Sequence, residues 1–147
     1  MKKILVVLLI VSSFVSCQKD DYRIEMAGTV WTGSKEVSVD RIITRDGNPV
    51  SVTVIIDYNL TLKFLTQNEG AISIESVSTV DGAQEPMQKS EFKFYYAYDY
   101  DLMWGNMMYV VPGTWGYGEY LESNFIIKSN KLYESKGIVE NVEYRKS

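Results

Sequence analysis

Histidine is missing from this chain of 147 residues. It is the side chain whose ordinary pKa lies nearest neutrality. Its absence excludes Ser-His-Asp and Cys-His catalysis and any His-ligated zinc or iron. Carboxylates, tyrosines and lysines are the acid–base groups that remain. Cysteine is nearly absent too. Cys17 is the only one, so no internal disulfide can form. Cations are the minority, 15 against 19 acids, for a net charge of −4. A surface of that sign argues against nucleic acid and against electrostatic docking on anionic lipid. Long apolar runs are lacking as well. The longest, Ile4–Val15, spans twelve residues and is interrupted by Ser12 and Ser13. A membrane-crossing helix needs about 20.

That short run is nevertheless the most informative stretch. Lys2 and Lys3 precede it, and Ser16-Cys17 follows it. Basic start, apolar middle and small residue form the layout of a secretory signal, here an N-terminal signal helix. On this reading Cys17 is either incidental to an ordinary secretory signal or the point of an anchor.

Val15-Ser16-Cys17 resembles the lipobox of bacterial lipoproteins. The resemblance implies cleavage before Cys17, diacylglycerol on its thiol and acylation of the new amino terminus. Two or three acyl chains anchor firmly, at about 0.8 kcal/mol per buried CH₂. Lys19, Asp20 and Asp21 follow at once and resemble the surface-export signal of Bacteroides-type lipoproteins. That implies a lipid-anchored outer-membrane protein on the cell surface or, failing export, on the periplasmic face. Without such a role the same residues are a solvated linker.

The chain therefore divides into a signal peptide (1–16), a lipidated cysteine with its linker (17–26) and one domain (27–147). Cleavage leaves 131 residues, with 13 cations against 19 acids and a charge of −6. A domain of that size buries about two-thirds of its unfolded surface.

The domain reads as all-β. Gly28–Gly33 opens it, and Ser34–Thr44 forms one long strand whose phase shift at Ile42-Ile43 predicts a bulge. Asp46-Gly47-Asn48-Pro49 is a turn. Val50–Tyr58 alternates, Asn59 reads as a turn residue, and Leu60, Leu62 and Phe64 continue the alternation. Ala71–Val80 follows, then a polar loop over Asp81–Lys89. Phe92, Phe94, Tyr96, Tyr98 and Tyr100 share one face of the strongest strand; a helix would scatter them. Met107–Val111 is short. Asn124–Lys128 and Lys131–Ser135 form a hairpin across Ser129-Asn130, with asparagine in the left-handed position. Val139–Arg145 is the last strand. Eight or nine strands with mostly short connections predict an antiparallel meander closed into a barrel, with an open half-barrel or a β-sandwich as alternatives.

This pattern resembles small lipoproteins with a lipocalin-like barrel. Gly28-Thr29-Val30-Trp31 matches the glycine–tryptophan opening of their first strand. The resemblance implies that Trp31 plugs one end of the barrel.

Two segments are candidate sites. Asp99-Tyr100-Asp101 sets two carboxylates on one side of an extended segment, but Leu102-Met103-Trp104 follows, so the EF-hand pattern fails. Solvated acids at a strand end explain them. Trp104, Trp115, Tyr117 and Tyr120 lie in a glycine-rich, charge-poor segment. Flat aromatics there suit sugar rings, apolar ligands or a protein surface. Alternatively they seal the barrel mouth. The expectation is a non-enzymatic binding module with no cofactor or metal. It takes a small apolar ligand or a glycan, in the barrel or at its mouth. An interaction module for an envelope protein is the alternative. A cavity of at least about 300 Å³ favours a small ligand; a filled barrel with an exposed apolar patch favours a partner.

Overall fold

The computed structural model describes residues 25–113, 116 and 118–147. The expectations for the signal peptide, Cys17, Lys19, Asp20, Asp21, Trp115 and Tyr117 lie outside those residues.

Among the described residues nine strands follow one another: β1 (Val30–Arg45), β2 (Asn48–Phe64), β3 (Glu69–Val80), β4 (Ala83–Gln84), β5 (Gln88–Asp99), β6 (Trp104–Pro112), β7 (Gly118–Lys128), β8 (Lys131–Glu134) and β9 (Val142–Lys146). All pairings are antiparallel. Starting from β1, the ring runs β2, β3, β5, β6, β7, β8 and β9, then returns to β1. The result is the expected eight-stranded closed barrel, lipocalin-like, with β4 as an extra strand on β3. Closure pairs the two ends of the sheet with each other, so most of the edge disappears.

Local chemistry explains the connections. Asp46-Gly47 and Asp81-Gly82 are two-residue hairpins with positive φ at both positions. That is the turn whose twist matches the flanking strands. The turn at the end of β1 is therefore tighter than the sequence pattern predicts: Asn48 and Pro49 already belong to β2, and Pro49, which has no N–H, lies near its start. At Ser129-Asn130 it is Ser129, not the asparagine, that takes positive φ.

Two further expectations need correction. β1 carries no bulge, since its pairing with β2 runs unbroken from Val30↔Lys63 to Arg45↔Asn48. The apolar pair Ile42-Ile43 simply places one residue on each face, leaving Ile42 74% exposed. Asn59 is no turn residue either. It sits mid-strand in β2, opposite Ser34 and Glu75. Strands on both sides of it hold the ladder together, and that long-range pairing overrides its local preference.

The inward faces fill the lumen. Trp31, Leu60, Leu62, Phe64, Ile72, Phe94, Met107, Tyr109, Phe125, Ile127, Leu132 and Tyr144 are all fully buried. Phe64 sits at the centre, with ring centroids 5.3 Å from Phe94, 4.8 Å from Tyr96 and 6.0 Å from Phe125. Phe94 and Tyr96 face inward as the alternation predicts, with Phe92 and Tyr98 packed against the core at its margins. Two inward glycines make room for this. A Cβ on Gly70 would lie 2.2 Å from Phe94 Cζ, and one on Gly105 2.3 Å from Phe125 Cζ. Each glycine pairs directly with the phenylalanine that covers it. Trp31 is buried where the chain enters the barrel, its indole N–H donating to Thr29 Oγ1 at 2.9 Å.

Call the end with the chain entrance, the β2–β3 loop, the β5–β6 loop and the C-terminus the lower end. Above it the barrel is uneven. β1 pairs with β9 only through Trp31–Gly33, so its upper part stands beyond the seam with β2. Arg41–Glu85, at 3.1 Å, and Arg45–Asp81 tie this arm across β2 to the β3–β4 turn region. Val52 and Val54 of β2 lie buried in the same arm.

Candidate functional site

Alternation in β5, β6 and β7 sends every second residue outward. In an ordinary soluble barrel those positions carry polar groups. The outer faces of β1–β3 follow this at Thr32, Ser34, Glu36, Asn59, Thr61 and Glu75, with Ile42 and Ile55 as exceptions. The outer face of β5–β8 does not. Its register sets Trp104 beside Ile126, and Ile126 beside Tyr133, as one exposed row. Two residues along the strands, Ala97, Asn106 and Asn124 form a second row. Two more along, Tyr95, Met108 and Glu122 form a third.

The short middle row lies between two bulky ones, and the outer rows stand about 13 Å apart at 3.3 Å per residue. The result is a groove. Ala97 and Asn106 lie in two contiguous clefts of about 450 and 390 Å³. The first reaches Trp104, Asp99 and Asp101; the second reaches Tyr95, Met108 and Asn124. Among the described residues, neither the Asn106 nor the Asn124 side-chain amide bonds to another protein group. Their donors and acceptors therefore point at solvent from an aromatic-walled floor.

Trp104 and Tyr120 lie apart in the fold. They do not sit on one glycine-rich loop over the barrel mouth. Trp104 opens β6 at the lower end and Tyr120 lies in β7 opposite Val110. Both face outward, 38% and 65% exposed, but six pairings apart, about 20 Å. The segment became a hairpin because Tyr109, Ser123 and Phe125 each had a place in the lumen. Trp104 stays in the groove; Tyr120 does not. Asp99-Tyr100-Asp101 likewise stays what it looked like in sequence. Asp99 Oδ1 accepts the backbone N–H of Asp101 at 3.0 Å and of Leu102 at 3.3 Å, capping the turn. No cluster of three metal-binding side chains occurs among the described residues.

A smaller cleft of about 290 Å³ marks the lower mouth, lined by Met26, Gln67, Tyr96, Tyr98 and Tyr100. Tyr96 donates to the Thr66 carbonyl at 2.6 Å, and burial pushes its phenol up to about 12.

A polar cluster inside the barrel was not visible in sequence. The Glu134 carboxyl is buried. Tyr109 donates to its Oε1 at 2.7 Å and Tyr144 to its Oε2 at 3.0 Å, while Ser123 Oγ lies 2.6 Å from Oε1. Ser123 also reaches the Lys136 carbonyl. A hydroxyl has one proton. If it goes to that carbonyl, Oε1 must supply the proton between Glu134 and Ser123. Burial, the dominant influence, raises the Glu134 pKa against the lowering effect of Ser123, Tyr109 and Tyr144, and so favours that neutral form. Loss of solvent and the nearby carboxyl hold both phenols above their ordinary value. The cluster is enclosed by the core, and it satisfies itself. Only its spacing along four separate strands would have revealed it, and that spacing needs the register.

No protein-family model, curated protein or solved structure matches the chain.

Proposed function

We propose that this protein is an envelope lipoprotein, anchored through Cys17 in the outer membrane and displayed by Lys19-Asp20-Asp21. It binds a glycan without catalysis in the groove on the outer face of β5–β8. The carrying observation is the pairing of aromatic walls, Trp104 and Tyr95, with a floor of two unused amides, Asn106 and Asn124. Aromatic faces stack on the apolar faces of sugar rings. Amides and the carboxylates of Asp101 and Glu122 take the hydroxyls, which need both donors and acceptors. The packed lumen argues against an apolar ligand held inside, because the clefts described above all open outward.

The test is an oligosaccharide array followed by titration of tryptophan fluorescence. Trp104→Ala is expected to weaken capture by about 1–3 kcal/mol, the loss typical of a central aromatic. Its thermal midpoint should stay nearly unchanged, since the side chain is outside the core. Asn106→Ala should weaken it by about 1 kcal/mol. Retention of glycans by both variants at wild-type strength would remove the groove as the site. Docking of an envelope protein is the second reading. Met108 and Ile126 favour it, being aliphatic groups on the same face. It is indicated if the array retains nothing while a partner protects these residues from oxidation or hydrogen exchange.

A further inference from the structure

The described chain enters the barrel at its lower end. Glu25 lies against the mouth lined by Gln67 and Tyr100. Cys17 is eight residues earlier, so the linker reaches at most about 28 Å. The opposite end is much farther away. β2 alone has 17 residues from its lower end at Phe64 to the hairpin at Asp46-Gly47. Even with the usual 35–45° tilt this sets the upper end about 40 Å above the lower. A chain fixed at Cys17 can bring its lower end to the membrane but cannot bring the upper end there by its linker.

That lower end presents large apolar groups beside exposed charged ones such as Asp101 and Lys128. Leu65 in the β2–β3 loop is 59% exposed and Leu102 in the β5–β6 loop is 69% exposed. Tyr100 sits exposed beside Leu102, with its ring 4.9 Å from that of Tyr98. The hydrogen bonds from Tyr96 N–H to the Asn68 carbonyl and from Tyr96 OH to the Thr66 carbonyl fasten the Leu65 loop beside β5. The Leu102 loop leaves the end of the same strand. Tyrosines and leucines presented together are the residues that settle at a lipid–water boundary.

We propose that this lower rim, Leu65, Tyr100 and Leu102, rests in the headgroup boundary of the membrane that holds the anchor. The inference depends on lipidation of Cys17. The barrel then stands upright, and the groove of β5–β8 opens sideways just above the lipid, with Trp104 at its membrane-proximal end. The contact can be weak by itself, because the anchor keeps it at high effective concentration. Lys128, Lys131 and Lys146 also lie at this end, but the contact rests on the apolar groups and needs no anionic lipid.

The test uses the full lipidated chain on phosphatidylcholine vesicles. Lipidation consumes the thiol of Cys17, so Leu102→Cys or Met87→Cys supplies the only free thiol for an environment-sensitive fluorophore. Met87 is a matched control, 61% exposed and outside the lower end. Flotation with the vesicles reports the anchor. A blue shift at position 102, with quenching by lipids brominated near the headgroup, and neither effect at position 87, is the expected result. Flotation without quenching at 102, or with equal quenching at both positions, overturns the rim contact and leaves the anchor standing. Failure to float removes the anchor, and the rim contact with it.

Discussion

Phe94 and Gly70 make the packing argument measurable. They are paired across β3 and β5, and the phenylalanine ring lies where a Cβ on Gly70 would be. Phe94 is fully buried. Phe94→Ala removes the ring and leaves a cavity bounded by Phe64, Tyr96 and Tyr109, at a cost of about 3–5 kcal/mol. Gly70→Ala alone forces the ring aside, since the new methyl would stand 2.2 Å from Cζ; overpacking of that kind costs about 1–3 kcal/mol. In the double variant the methyl enters the vacated space. The clash with the ring is gone, and part of the cavity is filled. The Lys63 carbonyl, 2.6 Å from the Cβ position, still opposes it. The double variant should therefore lose less than the sum of the singles, by about 1 kcal/mol or more, a coupling within the usual range for residues in contact. Urea melts of the four proteins at equal m-value measure it. Additivity within about 0.5 kcal/mol would refute the claim that the glycine exists to seat the ring.

Glu134 gives a pH prediction. Its folded-state pKa is raised, chiefly by burial, so the folded state holds a proton that the unfolded state releases. Its contribution is fully present below the ordinary carboxylate value and is lost as pH rises through the folded one. Stability should therefore fall across the range just above that ordinary value, and Glu134→Gln should flatten the profile there; an unchanged slope counts against a neutral carboxyl. Cys17→Ala should abolish incorporation of radioactive palmitate, and equal labelling of wild type and variant would remove the anchor. Replacing Lys19, Asp20 and Asp21 together with alanine should reduce protease access on intact cells without lowering total protein; undiminished digestion would leave those residues as a linker only.

The fold was legible because period-two alternation survives wherever one face is buried. The run from Phe92 to Tyr98 shows it most plainly, and the inward set it predicts is the one that packs. What escaped the sequence depends on register. Asn59 has the local chemistry of a turn but the neighbours of a strand. Asp46-Gly47 shows its turn type directly, yet Ser129 takes positive φ where Asn130 was the better candidate. The aromatic segment around Trp104 was visible as unusual, but the face each side chain takes depends on where β6 begins. Once Gly105 is inward, opposite Phe125, Trp104 must be outward. The Glu134 cluster draws on four strands and could not be read from any one of them.

The same packing decides where binding can happen. In an eight-stranded barrel the interior is just wide enough for side chains to fill or to hold one small ligand. Here Gly70 and Gly105 are inward positions, which ought to open space. Instead each is covered by a phenylalanine from the neighbouring strand, and Phe64, which flanks Gly70 from β2, meets both rings. Small residues that would make a cavity are thus used to seat large ones. On the proposed reading, ligand contact falls to surfaces where alternation leaves side chains outward. Of those surfaces, β1–β3 presents mostly hydroxyls and acids that water serves well. β5–β8 presents indole, phenol and thioether groups that water serves poorly, beside amides with no protein partner among the described residues. The proposed occupant of that face carries both apolar faces and hydroxyls to match its mixed apolar and amide character.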